Sequence, residues 1–297
     1  MNLDPRLGPV LIDGAMGTAL QAAGLPPNVL PERWLLERPA AVAAVHAAHA
    51  KAGASLLLTC TFNVASRRLG DAGLGKEAGR LCAAAVALAR EAAPGARVAG
   101  AIGPLAVVRP GEPAPAAEAA SAARLRTPFE RPLVALAEAG ADLLWLESQY
   151  DRREAEAALE AALAVGLPVA ITFTLLTRGG RWLAPDGTPG EALLAGAARA
   201  LPAGQHGGRV VAVGVNCVAA GAPLAALAGW ARATLPVPFI VKPSAGLPGA
   251  VLPPQAFAQA VAPAIAAGAR LVGGCCGATA EHLAALAAAL QGSEARG

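Results

Sequence analysis

Aromatic residues make up only 3% of this chain and charged residues only 15%. No Lys/Arg run and no interleaving of basic and aromatic residues accompanies the formal net charge of +3. The electrostatic footprint of a nucleic-acid-binding protein is therefore missing. Long apolar runs are missing as well: Ala-rich stretches such as Ala155–Ala164 are short and broken by Glu, which excludes them as membrane spans. The opening residues MNLDPRLGPV lack the charged start and apolar centre of a signal peptide. These absences predict a soluble, cytoplasmic protein. Cysteine is sparse and odd in number, with Cys60, Cys82, Cys217 and the vicinal pair Cys275 and Cys276. That is a poor disulfide framework. In a reducing compartment, clustered cysteines point instead to metal ligation or nucleophilic chemistry, while Cys82, in an Ala-rich helical stretch, reads as a small core residue.

Apolar material is abundant, at 55% of 297 residues, far from the profile of a disordered chain. It is laid out in a regular alternation. Short apolar runs occur at Val10–Asp13, Ser55–Phe62, Val98–Pro104, Asp142–Ser148, Pro168–Leu175, Val210–Cys217, Pro238–Ser244 and Arg270–Cys276. Each is the length of a strand buried on both faces. Between them lie segments of helical composition: Ala40–Gly53, Glu77–Ala93, Glu118–Gly140, Arg152–Gly166, Gly190–Leu201, Ala222–Leu235, Pro254–Gly268 and Ala280–Leu290. Several end on Gly, the residue that caps a helix in a left-handed conformation. Eight strands alternating with eight helices predict a (β/α)8 TIM barrel forming a single domain over residues 1–297. An open doubly wound sheet alternates in the same way, but the dinucleotide-binding glycine fingerprint is absent. The Pro/Gly/Ala-rich stretches Arg109–Ala117 and Ala203–Gly208 read as long loops, not linkers.

A barrel of this kind places its chemistry at the C-terminal ends of its strands. There the chain reads Asp13 to Thr18, Thr59-Cys60-Thr61-Phe62, Glu147-Ser148, Asn216-Cys217 and Gly274-Cys275-Cys276-Gly277. Cys217 ends the sixth strand and the vicinal pair ends the eighth, so the three thiols can converge on one ion. Three thiolates suit Zn²⁺ in a catalytic site whose fourth position stays open. A zinc ion with three thiolates is net negative and a weak activator of water. It is better suited to holding a substrate thiol as thiolate, where a free thiol of pKa about 8.5 would stay protonated. A buried pair with an unrelated core cysteine, or a vicinal disulfide, is the plain alternative. A closed structural zinc site would need Cys60 to reach across from the second strand.

The motifs Leu11-Ile12-Asp13-Gly14-Ala15-Met16-Gly17-Thr18, Gly214-Val215-Asn216-Cys217 and Gly273-Gly274-Cys275-Cys276-Gly277, in that order, span nearly the whole chain. With them the sequence resembles the homocysteine S-methyltransferase family. That family includes betaine- and S-methylmethionine-dependent enzymes and the homocysteine-binding module of cobalamin-dependent methionine synthase. The resemblance implies a TIM barrel, zinc on Cys217, Cys275 and Cys276, and two small-molecule substrates, homocysteine and a methyl donor. It implies that Asp13 and Glu147 take the substrate ammonium and that the backbone of Gly14, Ala15, Met16 and Thr18 takes its carboxylate. Thr59 is expected to line the same pocket, and Asn216 to orient the site or touch the substrate. Asp13 also reads as a helix N-cap, and Thr59 and Thr61 as packed strand-end residues.

Three positions depart from the family pattern: Cys60 between Thr59 and Thr61, Ser148 after Glu147, and Ala278-Thr279-Ala280 after Gly277. All three leave the zinc and amino-acid contacts intact and bear on the methyl donor. Onium donors are held by aromatic faces, and the possible donor contacts are Trp34, Phe62 and Tyr150, each with an equally good packing role. So thin a set does not complete a betaine cage, and a sulfonium donor such as S-methylmethionine or S-adenosylmethionine fits better. Two other readings stand beside this one: a module methylated by a partner corrinoid or folate protein, and a non-catalytic zinc–thiol redox sensor. The sequence assigns no oligomeric state.

Overall fold

A computed structural model describes residues 9–106, 121–200, 208–247 and 249–294. The continuous apolar runs form eight parallel strands: β1 (Val10–Leu11), β2 (Leu56–Leu58), β3 (Arg97–Ile102), β4 (Leu143–Gln149), β5 (Val169–Phe173), β6 (Val210–Asn216), β7 (Phe239–Lys242) and β8 (Ala269–Val272). Every strand neighbours its sequence successor, β8 pairs with β1, and a parallel bridge between Ile12 and Leu56 joins β1 to β2. The ring is therefore a TIM barrel. This strand order excludes the open doubly wound sheet, in which the order would reverse at a switch point.

Side chains alternate across the strands as a pleat requires. Ile12, Leu56, Leu58, Ala99, Ala101, Leu143, Trp145, Ala170, Ala212, Ile240 and Leu271 fill the interior. Their neighbours Leu57, Val98, Leu144, Leu146 and Val213 face outward into a larger core against the helices. Those helices are α1 (Pro39–Lys51), α2 (Ala78–Ala92), α3 (Ala122–Glu138), α4 (Arg152–Ala164), α5 (Gly190–Ala198), α6 (Ala222–Thr234), α7 (Pro254–Ala267) and α8 (Ala280–Glu294). Gly53, Gly140 and Gly268 follow their helices at φ of 104°, 90° and 124°, supplying the predicted turns into the next strands. No helix among the described residues is long and apolar enough to cross a membrane.

Corrections to the sequence reading lie mostly at the barrel mouth. Most strands end earlier than the apolar runs do, although β4 continues to Gln149, one residue past its run. Cys217 follows β6 with φ 54°, and Ser148 bulges out of β4 with φ 57°. Short helical segments at Met16–Ala22, Pro31–Arg33 and Trp34–Glu37 fill the β1–α1 connection. Two hairpins rise from the mouth, one pairing Leu176–Arg178 with Arg181–Leu183 and the other Gly246–Leu247 with Ala250–Val251. The two long loops expected at Arg109–Ala117 and Ala203–Gly208 lie, apart from Gly208, outside the described residues.

Candidate functional site

The end of β7 holds the cysteine-bearing turns together. The Lys242 carbonyl accepts the Cys217 N–H at 3.2 Å, and the next carbonyl, of Pro243, accepts that of Cys275 at 2.8 Å. The Sγ atoms of Cys217, Cys275 and Cys276 all lie within 4.8 Å of one another, and those of Cys217 and Cys276 are 3.8 Å apart. Tetrahedral zinc with Zn–S bonds of about 2.3 Å requires sulfurs roughly 3.8 Å apart, so the donor set fits that ion. All three residues are partly exposed, which leaves the cluster open to a ligand. Hydrogen bonds from Cys217 and Cys275 push the Cys276 thiol down to about 3, and the same contacts push Cys217 well up. Three soft sulfur donors at such close range form a cation-seeking arrangement. The left-handed backbone at Cys217 is unusual for a residue other than Gly, and strain of that kind concentrates at functional sites.

Asn216, fully buried, ties the cluster to β4. Its Oδ1 accepts the Ser148 N–H at 3.0 Å, and its Nδ2 donates to Ser148 Oγ at 2.6 Å and lies 3.8 Å from Cys275 Sγ. Of its two expected roles, these contacts describe orienting the site: Asn216 fixes the turn that presents Glu147.

The carboxylates expected at the pocket are not equivalent. Asp13 Oδ1 accepts from Lys242 Nζ at 2.7 Å, and Oδ2 accepts from the Leu58 N–H at 2.7 Å. Asp13 does not cap the helix that follows; Ala15 holds the N-cap position. Glu147 Oε1 sits 4.0 Å from the same Nζ, and its side chain is 15% exposed against 2% for Lys242. Burial pushes the Glu147 carboxyl up to about 7, while Lys242 pulls the other way. Burial alone would lower the Lys242 ammonium, but Asp13 and Glu147 outweigh it and hold it above its usual range.

The Gly14 loop is packed tightly. A Cβ at Gly14 would lie 2.5 Å from the Ala278 carbonyl and 3.1 Å from His49 Nε2. Ala15 donates its N–H to Ala278 at 3.0 Å, so that group is already used, while the helix starting at Met16 has no side-chain cap on its first-turn N–H groups. Thr18 Oγ1 accepts the Gly277 N–H at 3.2 Å. Thr59 and Thr61 bond each other at 2.5 Å and bond Ala101 on β3, so both hydroxyls already hold protein partners.

The homocysteine S-methyltransferase family model matches residues 10–290. The chain belongs to the homocysteine S-methyltransferase family. It is 32% identical to the homocysteine S-methyltransferase of Escherichia coli K12, the match covering 94% of both chains. It is 31% identical to the methionine synthase of Mycobacterium tuberculosis over 94% of its own length but only 24% of that protein's. The metallated form of the E. coli homocysteine methyltransferase MmuM superposes with a TM-score of 0.74 at 31% identity, covering 95% of this chain and 96% of that one.

Against the family pattern, the three aromatic donor candidates are mostly occupied. Trp34 is buried beneath Arg38, whose Cζ lies 4.3 Å from the ring centroid. Tyr150 is buried and donates its hydroxyl to the Ala106 carbonyl. Phe62 is partly exposed, with its ring against Gly103, where a Cβ would approach it to 2.6 Å. Lys242 was missed by sequence reasoning, although it is the lone charge in the apolar strand Phe239-Ile240-Val241-Lys242. His46 and His49, on the pocket side of α1, were missed too. Both are buried, and burial pushes His46 down to about 4, which keeps it neutral.

Proposed function

We propose that this protein is a zinc-dependent homocysteine S-methyltransferase that makes methionine from homocysteine and a sulfonium donor, S-methylmethionine or S-adenosylmethionine. The observation that carries this reading is the convergence of three partly exposed cysteine sulfurs, within 4.8 Å of one another, at the mouth of a barrel of this family. Zinc held by Cys217, Cys275 and Cys276 would lower the pKa of a substrate thiol, so that it arrives as thiolate at neutral pH.

The chain's own residues do the rest. Glu147 faces the pocket and takes the substrate ammonium, while first-turn N–H groups of Met16 to Thr18 take its carboxylate. The thiol proton leaves to solvent. The sulfur then attacks the donor methyl; the new S–C bond forms as the donor's C–S bond breaks, and the bonding pair departs on the donor sulfur as a neutral thioether. Alignment of the two reactants is the protein's main contribution. Free thiols of this kind persist in a reducing compartment, which suits action in the cytoplasm. Burial of Trp34 and Tyr150 argues against a betaine cage.

The methionine synthase likeness supports a second reading, in which the barrel activates homocysteine for a partner that carries the methyl group. One experiment separates the two: methionine formation from homocysteine with S-methylmethionine, S-adenosylmethionine, betaine and methylcobalamin, alongside metal analysis. Turnover with a sulfonium compound by zinc-loaded protein is expected. Turnover with methylcobalamin alone would favour the second reading, and turnover by metal-free protein would overturn zinc dependence.

A further inference from the structure

The buried Asp13–Lys242–Glu147 group carries more than the family reading asks of it. An amino-acid ligand brings one ammonium to the pocket, yet two carboxylates sit there with an internal ammonium between them. Both Asp13 oxygens are occupied, by Lys242 Nζ at 2.7 Å and by the Leu58 N–H at 2.7 Å, and its side chain is 3% exposed. The Glu147 carbonyl accepts from Gln149 Nε2 at 3.3 Å, but its carboxylate makes no hydrogen bond among the described residues and keeps an open face, with Lys242 Nζ 4.0 Å from its Oε1. Lys242 is itself too buried to touch a ligand. It is locked in place from behind, since its own carbonyl accepts the Cys217 N–H and its strand pairs it with Asn216. One lysine thus joins the amino-acid side of the pocket to the sulfur side.

We propose that Lys242 is a positioning residue that neutralises Asp13 and holds Glu147 charged and aimed, so that Glu147 alone receives the ammonium of an α-amino thiol substrate. With Glu147 ionised, as a ligand ammonium would favour, the three groups sum to one negative charge, which matches that ammonium. Without Lys242 the pocket would hold two mutually repelling carboxylates, and a desolvated carboxylate without a cation favours its neutral form. A neutral Glu147 would lose the charge-assisted bond that separates an amino acid from a plain thiol. The pocket would then accept thiols with little regard for an amino group. The consequence is selectivity: recognition of the α-amino group depends on a side chain that never meets it.

This inference rests on the homocysteine reading, and binding separates the two. Calorimetry on zinc-loaded protein compares homocysteine with 4-sulfanylbutanoate, the same thiol acid without the amino group. Wild-type protein prefers homocysteine by about tenfold or more, the worth of one charge-assisted hydrogen bond. If it binds neither thiol, the homocysteine reading falls and this inference with it. Glu147→Gln removes the preference while leaving 4-sulfanylbutanoate affinity and metal content unchanged; a retained preference overturns the assignment of Glu147. The decisive variant is the double replacement Asp13→Asn with Lys242→Met, which removes both charges of the pair together. If Lys242 served only to balance Asp13, the double variant would keep the homocysteine preference, and that result overturns the proposal. The expected result is loss of the preference with zinc retained. Lys242→Arg keeps the charge and restores the preference; folded, zinc-loaded Lys242→Arg without it also counts against the proposal, and this holds even if the double variant fails to fold.

Discussion

The two sides of the pocket are built on opposite principles. On the sulfur side, Cys217, Cys275 and Cys276 are partly exposed, carried on turns, and tolerate left-handed backbone at Cys217. On the amino-acid side, Asp13 and Lys242 are sealed in the barrel interior and satisfied almost entirely by each other and by main chain. The sulfur side is open for a ligand to complete. The amino-acid side is mostly complete beforehand, leaving the Glu147 carboxylate and the uncapped first-turn N–H groups of the helix at Met16 for the proposed ligand. A metal centre supplies large binding energies and can be assembled from turns. A carboxylate–ammonium contact is worth far less, and it discriminates only if its charge and direction are fixed in advance.

The largest test of this contrast is Cys217→Ala. Two thiols and a vacancy do not make a three-ligand zinc site, so metal content and methyl transfer should both fall to background. The fold should survive, because Cys217 lies on a surface turn outside β6. Full zinc loading with activity would break the reading of the sulfur side. Next comes Lys242→Met, which leaves Asp13 charged and unpaired in the interior. Removing one member of a buried ion pair costs about 3–5 kcal/mol, so the denaturation midpoint should fall sharply. Removing the Asp13 charge at the same time should recover much of that loss. Equal instability of the single and double variants would show that Lys242 stabilises by packing alone.

The same contrast governs what could be read in the sequence. The barrel was legible because strands buried on both faces must be continuously apolar, and eight of them stand out between alanine-rich helices. The thiol cluster was legible because cysteine is rare here and the flanking glycines are conspicuous. The hairpin at Leu176–Leu183 was passed over, although Gly179-Gly180 between short alternating segments is a two-residue turn signal. Asp13 was recognised, but its partner was not: the two are 229 positions apart, and only barrel closure places β1 beside β8, with β7 next in the ring. A single Lys ending an otherwise apolar parallel strand was the available signal. Which carboxylate stays open depends on side-chain direction at the mouth, and spacing along the chain does not encode that.

A smaller effect is expected at the seam between the two sides. Asn216→Ala removes the acceptor for the Ser148 N–H and the donors to Ser148 Oγ and Cys275 Sγ. Leaving such buried groups unpaired costs about 1–3 kcal/mol. Loss of support behind a metal ligand weakens metal binding by about 10–100-fold. A chelator competition should show this loss together with a raised KM for homocysteine, because the Ser148 turn also presents Glu147. A shift in one without the other would show that Asn216 serves only one side.

The smallest effect should come from Cys60→Ala, and its smallness is informative. Cys60 sits at the same end of the barrel as the other three thiols, in the motif Thr59-Cys60-Thr61, so a four-cysteine site or a sensor thiol would recruit it. The structure gives it neither role. It is 3% exposed in the apolar core, and it lies outside the group of sulfurs within 4.8 Å of one another. Burial, and secondarily the nearby Glu32 carboxylate, pushes its thiol well up, so it carries little of the thiolate that metal binding and oxidation require. Replacing it removes one buried sulfur, a loss of about 1 kcal/mol by the usual scale of small core truncations. Zinc content, the preference for homocysteine and the rate of native-state thiol modification should all stay at wild-type values. A drop in zinc would place a fourth ligand on the sulfur side and close a site that its exposure marks as open.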